Sequence, residues 1–80
     1  MPSEAEKLLE RMKRSDLERL YTGFGFRIEP GRGPHDKVFH PDFPQLITRL
    51  PRHRRVYEYL VTQAIRLIER LQELQKGQQE

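Results

Sequence analysis

Hydrophobic positions in this chain recur with two different periods. Leu17, Leu20, Tyr21 and Phe24 follow Ser15 and Glu18 at helical spacing, and the Ser15/Glu18 pair reads as a capping box, so a helix is predicted there. Upstream, Ser3 with Glu6 forms a similar pair ahead of Leu8, Leu9 and Met12. At about 100° per residue the two apolar stripes are out of phase by roughly a third of a turn, which predicts a break or bend near Arg14-Ser15. Thr22-Gly23-Phe24-Gly25-Phe26 ends the helix by the glycine route. The period then drops to two, with Phe26 and Ile28 alternating with Arg27 and Glu29 as in a half-buried strand.

A turn over Pro30–Pro34 leads into a second predicted strand near Asp36–His40. Pro41-Asp42-Phe43-Pro44 reads as the next turn, because its two prolines resist a regular ladder. Gln45–Leu50 reads as a third strand, with Leu46, Thr48 and Leu50 on one face and Ile47 on the other. Short strands with tight links predict an antiparallel meander. Beyond Pro51, helical spacing returns in Tyr57, Leu60, Val61, Ala64, Ile65, Ile68 and Leu71, and Gly77 marks the end of that helix. Leu60, Ile65 and Ile68 are expected to be buried against the strands. The order α-β-β-β-α predicts an α+β fold with a three-stranded antiparallel sheet and helices on one face. One domain spans residues 1–80, with an extra N-terminal helix over 1–14 and a core over 15–76.

Size and charge sharpen this picture. A chain of 80 residues buries only about 60% of the surface its unfolded form exposes, so its core is small. It contains no cysteine, which excludes disulfides and thiolate metal sites and suits a reducing cytoplasm. No apolar run approaches the roughly 20 residues of a membrane span, and no secretory signal pattern is evident. Net charge is +3, and its placement matters more than its size. Lys and Arg balance Asp and Glu over residues 1–20, whereas residues 21–55 hold seven basic against three acidic side chains. A polyanion would be steered to that middle segment.

The candidate chemistry lies in the same segment. In Gly31-Arg32-Gly33-Pro34-His35-Asp36-Lys37 the glycines and proline force a tight turn that delivers His35 to a loop-to-strand junction, flanked by Arg32 and Lys37. A histidine can take or give a proton near neutral pH, and Arg and Lys beside it can neutralise a phosphate. Arg52, His53, Arg54 and Arg55 form the densest basic run, at the approach to the long helix. Arg32, Gly33, Lys37, Arg52, Arg54 and Arg55 are the candidate contacts for a polyanion, and His35 is the candidate acid–base group among them. His35, His40 and His53 lack the regular ligand spacing of a zinc site, so neither a metal nor another cofactor is expected. The aromatic residues read mostly as core, with Phe43 and Tyr59 expected at the surface for base stacking or a partner.

An ordered set of motifs resembles the HicA family of bacterial toxins, small ribonucleases of toxin–antitoxin systems. The set is Gly25-Phe26, Gly33-Pro34-His35, Phe39, His40-Pro41 and Leu50-Pro51-Arg52-His53, followed by a helix rich in Ile and Leu, and it covers roughly residues 16–72. The resemblance implies a fold like that of a double-stranded RNA-binding domain. It also implies metal-independent cleavage of mRNA with His35 in the catalytic position, and a HicB-like antitoxin protein as partner. Pro34 stands where the family usually has serine. That departure favours a second reading, a non-catalytic RNA-binding module of the same fold. A third is a protein-interaction domain that has lost toxin activity.

Overall fold

The computed structural model describes residues 12–53 and 55–78. Their order is α1 (Arg14–Gly23), β1 (Arg27–Pro30), β2 (His35–His40), β3 (Phe43–Pro51) and α2 (Glu58–Gln78), the α-β-β-β-α arrangement expected from the two periods. Residues 1–11 of the anticipated extra helix, and Arg54 of the basic run, lie outside the described residues.

Both ends of α1 show local chemistry. Lys13 is extended, at φ −109° and ψ 162°, and bridges Arg55, so α1 begins at Arg14 and does not run back through Lys13. The cap is Lys13 with Asp16, whose carboxylate accepts the Lys13 N–H at 2.8 Å, and not the expected Ser15/Glu18 pair. The far end is a Schellman motif: Phe26 N–H donates to the Tyr21 carbonyl at 3.0 Å and Gly25 N–H to that of Thr22 at 3.0 Å. Gly25 has φ +89°, and a Cβ there would approach His40 Nε2 to 3.1 Å, so this glycine serves both the turn and the close packing of His40.

The sheet is antiparallel in the order β1-β2-β3, with β2 central. Its second turn is shorter than predicted. Pro41-Asp42 alone reverses the chain, β3 starts at Phe43, and the register shifts between Phe39 and His40. Pro44 is tolerated because β3 is an edge strand, which leaves proline's missing N–H without a ladder partner to disappoint.

Alternation along the strands gives the sheet two unlike faces. Val38, Leu46 and Leu50 point toward the helices and are buried with Leu17 and Tyr21 of α1 and with Leu60, Ala64, Ile68 and Leu71 of α2. Burying one such leucine or isoleucine contributes about 1.5–3 kcal/mol. A chain of edge and tilted ring contacts crosses this core, from Tyr21 through Phe26 and His40 to Phe43. His40 is buried and its Nδ1 accepts the Asp42 N–H at 3.1 Å, so this histidine is a packing residue that also pins the second turn.

Several expectations for the core change. Ile65 is 47% exposed, one flank away from the Ala64–Ile68 face that packs. Phe43 is buried and not at the surface, while Phe24 and Tyr57 are exposed and not core. The second helix also continues through Gly77 to Gln78. Among the described residues, no helix is long and apolar enough to cross a membrane.

Candidate nucleic-acid interface

The first hairpin turn is built from backbone demands. A Cβ on Gly31 would lie 2.7 Å from the His35 carbonyl oxygen, a contact only glycine avoids, and Gly33 has φ +74°. Across the turn, the Pro34 carbonyl accepts the Arg52 N–H at 3.1 Å. The Arg52 guanidinium donates to Asp36 Oδ1 at 2.9 Å and to the Gly31 carbonyl at 3.2 Å. Arg14 reaches the same site from α1, pairing with Asp36 and Glu18 and donating from Nε to the Pro51 carbonyl at 2.9 Å. The hydrogen bond from Arg52, reinforced by the charges of both arginines, holds the Asp36 carboxyl below its ordinary range although partial burial acts the other way. Two guanidinium groups and one carboxylate thus fasten the start of β2 to the end of β3 and to α1.

Asp36 points to the helix side, so by alternation its neighbours His35 and Lys37 point to the other side. Register extends that open face across the sheet: Lys37 lies between Glu29 and Arg49, and Phe39 lies between Arg27 and Ile47. Ile47 is 50% exposed, and the Lys37 ammonium sits 4.9 Å above the Phe39 ring. A concavity of about 510 Å³ opens at the edge of this face, lined by Gly31, Arg32, His35, Lys37, Ile47 and Arg49 together with Thr48 and the Asp36 carboxylate that Arg14 and Arg52 neutralise. Among the described residues, none of Arg27, Arg32, Lys37 and Arg49 is in a salt bridge; the basic side chains that are paired are Arg14, Arg52 and Arg70.

The three histidines differ in what holds their rings. His40 is locked in the core, and His53 contacts the Arg55 carbonyl through Nδ1 at 3.0 Å. His35 is half-buried as the first residue of β2, and among the described residues its ring makes no hydrogen bond, which leaves both nitrogens available to a ligand.

The candidate residues divide accordingly. His35, Arg32 and Lys37 share the concavity, and Gly33 shapes the turn beside it. Arg52 adjoins the turn, but its guanidinium is occupied by Asp36 and Gly31. Arg55 lies over the Tyr57 ring at 5.2 Å, and its backbone bridges Lys13. Arg49 is not marked out by its surroundings in the sequence; only the Lys37–Arg49 pairing brings it beside His35. Among the described residues, no group of three His, Asp or Glu side chains is arranged to hold a metal ion. No protein-family model matches the chain, and neither a curated protein nor a solved structure matches it significantly.

Proposed function

We propose that this protein is a HicA-like endoribonuclease that cleaves mRNA in the cytoplasm and is restrained by a HicB-like antitoxin. The observation that carries the reading is the meeting of His35, Lys37 and Arg49 around one concavity of the sheet. In the proposed reaction His35 takes the proton of a ribose 2′-hydroxyl. The 2′-oxygen bonds to phosphorus, the bond from phosphorus to the 5′-oxygen breaks, and water protonates the leaving alkoxide. The products are a 2′,3′-cyclic phosphate and a 5′-hydroxyl. Arg32, Lys37 and Arg49 neutralise the charge that builds on the phosphoryl oxygens, a role that needs cations not already paired with carboxylates. No metal is required by this scheme.

His35→Ala tests it. Loss of a general acid–base group lowers rates by about 10²–10⁴-fold, so the variant is expected to lose cleavage and growth arrest. Fold and RNA affinity should be nearly unchanged, because a neutral imidazole adds little to polyanion binding. Chelator should leave the rate of the unaltered protein as it was. The binding-module reading is favoured by Pro34, which supplies no hydroxyl where the family usually has one. If the unaltered protein binds RNA but neither cleaves it nor slows growth, and His35→Ala behaves identically, the nuclease reading fails and the module takes its place. Pro34→Ser separates the two further, since only a nuclease can gain cleavage from a restored hydroxyl.

A further inference from the structure

A second concavity, of about 380 Å³, lies on the α2 side of His35 and is lined by His35, Thr48, Arg49, Tyr59, Leu60 and Gln63. It shares His35, Thr48 and Arg49 with the basic concavity described above. His35 therefore stands between a basic compartment and one that contains an aromatic ring and a side-chain amide. We infer that this second concavity is a base-stacking subsite for single-stranded RNA, with Tyr59 as its platform. The inference rests on the RNA reading proposed above and names the substrate class and a binding residue for it.

Tyr59 is unlike the aromatic residues of the core. It is 57% exposed in the first turn of α2, where its neighbour Leu60 takes the buried position. The ring is backed by Tyr57, with 6.0 Å between centroids and 16° between planes. Tyr57 is in turn flanked by Arg55 at 5.2 Å and by the edge of His53 at 5.6 Å. A ring already held in a stack loses little rotamer freedom when another planar group joins it. Gln63 lies one helical turn after Tyr59, on the same side of α2, and its amide can both donate to and accept from a base edge.

Charge selects the occupant. Arg49 borders both compartments and Lys37 lies across from it, so a phosphodiester held between them places the neighbouring nucleotide at either concavity. A base with a free face is what an exposed tyrosine takes, and only unpaired RNA offers one, since paired bases are stacked inside the duplex. An acidic protein segment would satisfy the cations equally well but would make no specific use of the ring.

The test measures affinity for a short 2′-O-methyl oligoribonucleotide, which keeps bases and phosphates but cannot be cleaved. Tyr59→Ala is expected to bind about 5- to 150-fold more weakly, the fold-change that corresponds to one base–aromatic stack. Tyr59→Phe should bind as the unaltered protein does, and the same oligonucleotide annealed into a duplex should bind more weakly than the single strand. If Tyr59→Ala binds as tightly as the unaltered protein while Lys37→Gln with Arg49→Gln weakens binding, the subsite is overturned and the RNA reading stands. Equal affinity for duplex and single strand also overturns the subsite. If the unaltered protein binds no RNA, both fall together.

Discussion

The two faces of the sheet use the same backbone ladder and opposite side-chain chemistry. On the covered face, Val38, Leu46 and Leu50 meet the helices, and the charge at its margin, Asp36, is matched by Arg14 and Arg52. On the open face, Arg27, Lys37 and Arg49 surround Phe39 and Ile47, with Glu29 as the carboxylate in register, and no salt bridge forms there among the described residues. Cations in a structural network are fixed in place and electrically answered. Cations left unpaired beside exposed apolar groups raise the local potential and remain available to an anion. The difference identifies which basic residues build the fold and which are free to bind, a distinction that net charge alone does not make.

The contrast can be broken most forcefully from the covered side. Leu17 and Leu71 are fully buried, and truncating either to alanine should cost about 2–5 kcal/mol in chemical denaturation. Ile47→Ala on the open face and Ile65→Ala on the outer flank of α2 should each stay within about 0.5 kcal/mol, because both side chains are half exposed. Comparable destabilisation at all four positions would mean that the open face is covered in solution.

Two titrations give a smaller effect with a definite sign. Burial raises the Tyr21 hydroxyl to about 12 from an ordinary value of 10.0. The folded state therefore holds that proton more tightly, and stability should fall as pH rises from 10 toward 12. Tyr21→Phe should abolish this alkaline limb. Asp36 is shifted the other way, below its ordinary 3.8. Its contribution is present above that pH and disappears as acid protonates the carboxyl in the folded state. Asp36→Asn should flatten stability at the acid end, and melting temperatures across pH would reveal either failure.

Much of the fold is legible in the sequence because period and turn chemistry are local. Gly25-Phe26 after Tyr21 spells a Schellman ending, and the alternation through Arg27–Glu29 and Gln45–Leu50 matches the observed strand faces. Ile65 is exposed against expectation because helical spacing defines a stripe but not its width; that depends on whether a neighbour covers the flank. The length of β3 exceeds expectation because a proline's cost depends on its strand being central or at an edge, which is a property of the whole sheet. Of the site, His35, Arg32 and Lys37 are visible in sequence as one turn. Arg49 is not, since its place beside Lys37 follows from a register that the whole hairpin sets. Nor can the pairing of Asp36 with Arg14 and Arg52 be read there, because its members meet only after folding.

The division between structural and binding cations is tested most directly by the salt dependence of single-stranded RNA affinity. Lys37→Gln with Arg49→Gln should lower the log–log slope by about 0.7 for each phosphate that is no longer neutralised, with an unchanged melting temperature. Arg52→Gln should do the reverse, lowering the melting temperature by removing its bonds to Asp36 and Gly31 while leaving the slope nearly as it was. A slope that falls with Arg52→Gln and not with the Lys37/Arg49 pair would contradict the proposal that the open face binds RNA.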